Sequence, residues 1–368
     1  MSVKKKKQPI RVGIWGLGRA GYNMHISDIS RFPDEFEIVA GCDTAEDRVK
    51  HFLAKIPKAK GYTDGKRFLA DPKIELVSVA VRSAQHVDYC LRALKAGKIV
   101  FLEKPIAISL KGLKKLQEAV KKYPGKLFFR HNRRLEPCFN HIRKIIASGL
   151  LGEVYEVKLC RNSYEFRSDW QTLQKCGGGQ LNNWGPHIID HALRLLDSPV
   201  ESVWSDLKNI AARGDAEDHL KVILRGKNGR IVDLEISGGA ALRPPVYTVY
   251  GSRGALVSTD GNDLQLKYLD PKMKMPRYPS HEDNPPLSGG FPGDVQPKWI
   301  RETIMADPES TTEHPLENHD IYHLLYQAIR ERKPFLIKPE EAFEVVRVTC
   351  MVKEQNPAFK GIEDEFGK

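Results

Sequence analysis

Apolar runs alternate with amphipathic stretches over the first third of the chain, and that alternation predicts a fold class. Between Ile10 and about Arg130, the runs IRVGIW, FEIVAGCD, IELVSVAV, KIVFLE and KLFFR each stand beside a helix-like segment. Near-continuous apolar runs suit strands buried on both faces, and their alternation with helices suits βαβ units around a parallel sheet. Residues 1–130 are therefore expected to form a doubly wound α/β domain.

After His131 the rhythm changes. A helical segment near Pro137 to Ser148 leads through Gly149 and Gly152 into EVYEVKLC, then a polar loop, a glycine-rich stretch and an apolar helix ending near Leu196. The strand candidates VESVWSDL, HLKVILR, RIVDLEIS, VYTVYG, ALVSTD and LQLKYL follow closely, separated by Gly, Asn and Asp turn signals. Such a succession predicts that residues 131–368 form an α+β domain on one mostly antiparallel sheet. Residues 270–297, rich in Pro and Gly, read as a long loop serving as a lid or an interface arm. Two helices, near Asp320 to Arg332 and Pro339 to Glu354, close the chain.

Composition narrows the class. The 368 residues are 41% hydrophobic, enough for two cores, and no apolar run is long enough to cross a bilayer. MSVKKKKQPI passes straight into a strand-like run with no apolar signal region, and the six cysteines show no paired spacing. Both features point to the cytoplasm and away from a membrane. The net charge of +11 raises the question of nucleic acid, but the 58 basic residues are interleaved with 47 acidic ones and no nucleic-acid motif is present. An anionic small molecule is the more economical use of that charge.

IRVGIWGLGRAG places Gly16, Gly18 and Gly21, with Arg19 and Ala20 between the last two, directly after a strand and at the start of a helix pattern. The first glycine permits the tight turn, the second admits a pyrophosphate to the backbone, and the third lets helix and strand pack. Asp43 ends the second strand, where a carboxylate accepts hydrogen bonds from ribose hydroxyls and repels a 2′-phosphate. NAD is thus favoured over NADP. Arg48 opposes that preference in principle, and capping the following helix is the alternative for Asp43.

FLEKPIA brings Glu103, Lys104 and Pro105 to the carboxyl end of another strand, the edge at which open α/β sheets bind ligands. The peptide before Pro105 is a candidate cis bond, and a plain surface lysine is the alternative reading of Lys104. Further on, GGGQLNNWGPHIIDH packs three glycines, Asn182, Asn183, His187 and His191 into fifteen positions.

GLGRAG, VAGCD, ALKAGKIVFLEKPIA, RHNRRLEP, SGLLGEV and GGGQLNNWGPHIID, in this order, resemble the Gfo/Idh/MocA family of NAD(P)-dependent oxidoreductases. The resemblance implies a Rossmann domain joined to an α/β domain with a large open sheet, a site between them, and dimers or tetramers associated through that sheet. It also implies sugar or cyclitol substrates, with Lys104 and His187 near the reacting hydroxyl. Cofactor contacts are expected from the glycine loop, Asp43, Glu103, Lys104 and the VRSAQH loop with Arg82 and His86.

The sequence departs from the family pattern in VRSAQH, where many members read TPN, and at Asn183, where many carry an acid. Asn183 orients a hydroxyl but cannot take its proton. His187, with an ordinary pKa of about 6.5, can. Loss of a carboxylate near Lys104 should lower the lysine's pKa, so that Lys104 shares the proton or stabilises alkoxide. Tyr164, Phe166, Arg167 and Trp170 lie in the polar loop expected to face the cleft, where the aromatics offer flat surface to a sugar ring or, equally, pack in the core. Arg134 and Arg161 are candidates to hold an anionic substituent, with surface salt bridging the favoured alternative.

A metal at His187 and His191 is disfavoured, since Ile188 stands where a metalloprotease helix carries Glu. No metal is expected. The leading expectation is oxidation of a ring hydroxyl with NAD. A lyase, epimerase or glycosidase with internally recycled NAD, and a non-catalytic sensor, are the alternatives.

Overall fold

The structure is a computed structural model and describes residues 8–275, 296–306 and 317–366. The predicted lid or interface arm lies largely outside the described residues. Ten α-helices are described: α1 (Ile26–Ser30), α2 (Glu46–Lys55), α3 (Gly65–Leu69), α4 (His86–Lys95), α5 (Leu110–Lys122), α6 (Pro137–Ala147), α7 (Gln180–Asn183), α8 (Gly185–Leu196), α9 (Ile321–Arg330) and α10 (Pro339–Gln355).

The first sheet contains β1 (Ile10–Trp15), β2 (Phe36–Cys42), β3 (Lys60–Tyr62), β4 (Leu76–Val79), β5 (Ile99–Glu103) and β6 (Leu127–Arg130). Their order is β3-β2-β1-β4-β5-β6, and every pairing is parallel. This is the doubly wound arrangement, whose strand order reverses between β1 and β4 and opens a crevice at their carboxyl ends. Five of the six strands are legible as apolar runs. The edge strand β3 is three residues, KGY, too short and too polar to register as one.

The second sheet contains β7 (Val154–Asn162), β8 (Val200–Lys208), β9 (His219–Gly226), β10 (Ile231–Ser237), β11 (Tyr247–Gly251), β12 (Gly254–Ser258), β13 (Asp263–Leu269) and β14 (Trp299–Met305). It runs β14-β13-β12-β11-β7-β10-β9-β8, antiparallel except for the β7–β10 pair. Alternation decides its two faces. Leu220, Val222 and Leu224 on β9, with Val232, Leu234 and Ile236 on β10, join the core beneath α6 and α8. The intervening Lys221 points the other way and bridges Asp233 at 2.7 Å and Glu235 at 3.3 Å. The edge strand β14, not foreseen in the sequence, exposes Trp299 and Met305.

A division of the chain at residue 130 follows the sheets but not the cores. Ile321, Tyr322, Leu325 and Tyr326 of α9 pack with Ile10, Val12 and Ile14 of the first sheet. Helix α10 carries two apolar stripes. Ala342, Phe343, Val346 and Cys350 pack into the first domain, whereas Val345, Val348 and Val352 join the core of the second. A helix apolar on two sides is stable only with partners on both, so α10 cements the two domains.

Candidate active site

The glycine loop has the form its spacing predicts. Gly16 lies at φ +101°, and a Cβ there would sit 2.5 Å from the Ala80 carbonyl oxygen. A Cβ on Gly21 would collide with the Gly16 carbonyl oxygen, so backbone packs on backbone. At Gly18 a Cβ would meet only Arg48 Nη1, at 3.9 Å, so this is the open position where a pyrophosphate can approach. The loop continues as a π-helix, Ala20–His25, rather than directly as an α-helix.

Asp43 is buried. Its Oδ2 accepts from Leu17 N at 2.8 Å and its Oδ1 from Ala45 N at 3.0 Å, so it braces the glycine loop from the end of β2. Arg48, on α2, reaches back to Asp43 Oδ2 at 3.4 Å. It therefore stands over the cradle instead of pointing away along its helix. Its guanidinium thus lies beside both the carboxylate and the open position at Gly18.

At the end of β5 the Lys104–Pro105 peptide is cis. Lys104 Nζ crosses to the second domain and donates to the main-chain oxygen of Asn183 at 3.1 Å. Its pKa is lowered first by burial and then by Arg130, Arg19 and Arg133, with Glu103 opposing. Dehydration and clustered guanidiniums are the causes of this shift from the ordinary lysine value. His187, on the first turn of α8, is 6% exposed and is held well below the ordinary imidazole range by burial, Lys104 and Arg133. It is an uncharged acceptor at neutral pH rather than a group titrating there.

Three residues expected to touch ligand face inward. His86 is 2% exposed and sets its two ring nitrogens against the oxygens of Pro105, at 2.7 Å, and Val81, at 3.0 Å. A neutral imidazole has one N–H, so only one of these contacts is a hydrogen bond at a time. His86 therefore supports the turn carrying Lys104 instead of lining the cradle. Glu103 is also buried. Its Oε1 receives Arg130 at 2.5 Å and lies 3.4 Å from His25 Nε2, while its Oε2 accepts from Lys104 N at 2.9 Å. It acts on the cleft through Lys104.

Arg134 is not available as an anion anchor. Only 5% exposed, it donates through Nε to Asp190 Oδ2 at 2.8 Å and through Nη1 to Glu341 Oε2 at 2.6 Å. Arg161 is engaged by Glu136 at 2.8 Å. His191 sets Nε2 against the Arg133 carbonyl oxygen at 2.9 Å and stacks on Phe139, so it is a packed core imidazole.

Asn183 is 8% exposed, and its Oδ1 accepts from Gln171 Nε2 at 3.4 Å. Gln171 in turn receives Arg167, which also binds Asp169. Asp169 precedes Trp170, and its carboxyl is held below the ordinary range, against burial, by Arg167, the Gln171 N–H and Arg19. Tyr164 is half exposed, pairs with Gly239 and meets the Phe166 ring edge-on. Arg82 directly precedes a short 3-10 turn, Ser83–Gln85, without a side-chain capping bond, and its neighbour Val81 lies against Gly16.

Other polar residues of the cleft carry no expectation from the sequence. His131 is 2% exposed, with both ring nitrogens buried and lacking a hydrogen-bond partner, and it lies within electrostatic reach of Lys104 and His187. Arg133 stacks over Trp184 at 4.3 Å. The available signal was position: HNRR directly follows β6 on the carboxyl edge of the sheet. Among the described residues, no group of three or more His, Cys, Asp or Glu side chains is arranged to hold a metal ion. No helix among them is long and apolar enough to cross a membrane.

Residues 10–131 match the family described as "Oxidoreductase family, NAD-binding Rossmann fold", and residues 139–257 match its C-terminal domain. The chain belongs to the Gfo/Idh/MocA oxidoreductases. It is therefore an NAD(P)-dependent oxidoreductase with an NAD-binding Rossmann domain. It is 30% identical to the uncharacterized oxidoreductase YdgJ of Escherichia coli, over 73% of this chain and 76% of that protein. It is 25% identical to scyllo-inositol 2-dehydrogenase (NADP(+)) IolW of Bacillus subtilis, over 94% of this chain and 93% of that one. The fold is shared with the WlbA dehydrogenase from Bordetella pertussis, solved in complex with NADH and UDP-GlcNAcA. There the TM-score is 0.74 at 20% identity, covering 98% of this chain and all of that one.

Two consequences can be measured. Arg134→Ala leaves Asp190 and Glu341 without their shared partner, and breaking a buried pair in this way costs about 3–5 kcal/mol. The urea midpoint should fall accordingly, whereas an exposed anion anchor would leave it unmoved. His25, His86, His131, His187 and His191 all have folded-state pKa values lowered by burial.

As pH falls, the unfolded chain takes up those protons first. The stability these imidazoles contribute is present above about pH 6.5 and is lost toward their folded values, at up to about 1.4 kcal/mol per pH unit each. Glu217, whose folded pKa is raised to about 7, acts in the opposite sense and offsets one of the five. Thermal melts should show Tm steady from pH 8 to 7 and falling below 6.5. A Tm that rises on acidification to pH 5.5 contradicts the burial of neutral imidazoles.

Proposed function

We propose that this oxidoreductase moves a hydride between NAD and a ring hydroxyl, or the matching ketone, of a sugar, sugar derivative or cyclitol. The observation carrying this reading is the convergence of Lys104 from one domain with Asn183 and His187 from the other, beside the glycine cradle. The inositol dehydrogenase among the relatives supports the substrate class. Bound at the cradle, oxidised NAD supplies the hydride acceptor. Gly18 leaves room for its pyrophosphate, and Asp43 braces the loop near the adenosine ribose.

In the oxidation direction, His187 receives the hydroxyl proton. Its depressed pKa keeps the imidazole unprotonated, in acceptor form, across the physiological range. A weak base suffices because the hydroxyl becomes strongly acidic as its carbon gives up hydride. Lys104, bonded to the Asn183 main chain, directs its remaining N–H bonds toward negative charge developing on that oxygen. Asn183 orients the substrate through its amide. NAD is the proposed cofactor, and Arg48 gives NADP a foothold beside Asp43.

A homodimer or homotetramer through the outer face of the second sheet completes the reading. Trp204 is 54% exposed on β8 and Trp299 45% exposed on β14. The native mass by light scattering should be two or four times 41.7 kDa; a monomer at micromolar concentration contradicts it.

Absorbance at 340 nm with NAD and a panel of sugars and inositols tests the activity. His187→Ala should lower kcat by about 10²–10⁴-fold and Lys104→Ala by about 10²–10³-fold, with NADH binding by fluorescence retained in both. The acid limb of kcat/KM should lie below pH 6.5. Bound NAD with altered sugar but no net NADH would replace the dehydrogenase reading with internally recycled redox chemistry.

A further inference from the structure

One buried carboxyl beside the cleft has no part in the mechanism above. Glu217, in the turn before β9, is 4% exposed and lies beneath the glycine-rich loop that leads into α7. Its Oε1 accepts from Leu181 N at 2.9 Å, and its main-chain oxygen accepts from Gln180 N at 3.0 Å. Both N–H groups belong to the first turn of α7, the helix that ends at Asn183.

Gly179 explains itself here. It sits at φ +100°, and a Cβ would collide with the Glu217 carboxyl, so only glycine lets the loop settle on that group. Glu217, Gly179, Gln171, Gln180 and Asn183 line one narrow cleft. Gln180 Oε1 in that cleft is buried without a partner, an acceptor that a carboxylic acid O–H or a bridging water can satisfy.

We propose that Glu217 is a positioning residue for the oxidoreductase site: as a neutral acid it holds α7 and thereby Asn183 in place, and its ionisation loosens that hold. The proposal rests on the reading that Asn183 meets the substrate. It also gives position 183 a physical context, since this chain keeps a carboxyl behind the loop while carrying an amide at its end. Burial raises the Glu217 pKa to about 7, against the Leu181 N–H and Lys353, which favour the charged form.

The charged groups around it are few and engaged. Lys353, from α10, donates to the Ile108 oxygen at 2.9 Å. Asp218 is occupied by the N–H groups of Ile210, Ala211 and Ala212. Arg167 is held by Asp169 and Gln171, and Glu165 lies at the cleft's edge. None forms an ion pair with Glu217 among the described residues. Ionisation therefore places an unpaired charge under the loop, and displacement of the loop toward solvent is the available relief.

The test compares wild type, Glu217→Gln and Lys353→Met between pH 6 and 8.5. Trp184 directly follows Asn183, so tryptophan emission of the protein without substrate reports the loop. Wild type should show a step near pH 7 that disappears in Glu217→Gln and moves to higher pH in Lys353→Met, which lacks the cation favouring ionisation. With myo-inositol as the probe polyol, the ratio of Glu217→Gln to wild-type kcat/KM should rise several-fold from pH 6 to 8.5.

A merely structural glutamate would leave that ratio independent of pH, and an emission step surviving in Glu217→Gln would overturn the proposal. Should Glu217→Gln not fold, an unmoved midpoint in Lys353→Met does the same. Absence of polyol oxidation by wild type sinks the activity reading instead, and the emission measurements then decide the role of Glu217 alone.

Discussion

The cleft depends on one buried carboxylate. Glu103 faces Arg130, His25 and the main-chain N–H of Lys104 at once, and Arg130 is itself 1% exposed and also bound to Asp28 at 2.6 Å. A guanidinium buried this deeply is tolerable only with a partner of opposite charge, because the desolvation of an unpaired ion costs several kcal/mol. Burial alone would raise the Glu103 pKa, but Arg130 and His25 outweigh it and hold the carboxyl well below its ordinary range. The ends of β5 and β6 and the π-helix after the glycine loop are thereby tied to one point, directly beneath the cofactor cradle.

A second buried ionic group does for the domain interface what Glu103 does for the sheet. Arg134 follows β6, Asp190 lies on α8 and Glu341 on α10, and Arg194 adds a further contact to Glu341 at 2.9 Å. Helix α10 presents apolar stripes to both cores, so apolar packing and this ionic group hold the same three elements. Hydrophobic burial supplies the larger non-directional attraction, and the ion pairs add directional contacts between the same elements.

Between these two anchors the cleft is electrically unusual. Lys104 is ringed by Arg19, Arg130 and Arg133, while His131 and His187 are kept neutral by dehydration. Such a site favours negative charge appearing on a substrate oxygen and disfavours a resting positive charge on an imidazole. Those are the conditions under which a hydroxyl can lose its proton while its carbon loses hydride.

Much of this was legible in the chain. Local chemistry determined the βαβ domain, the three roles of Gly16, Gly18 and Gly21, the place of Asp43 at the end of the second strand and the candidacy of Lys104 and His187. Apolar period and glycine spacing act over a few residues and so are written in the sequence itself. Partnership across the fold was not legible. Arg134 and His86 looked like ligand-binding groups because an arginine or histidine beside a cleft motif carries no mark of which way it faces. Only the tertiary structure turned Arg134 onto Asp190, 56 positions away, and His86 onto the Pro105 carbonyl. The same holds for Glu217, invisible as a partner of Gly179 until β9 came to lie under the loop. Charge compensation and burial are set by three-dimensional neighbours, and for a buried ionisable side chain those neighbours decide whether it meets a ligand or holds the protein together.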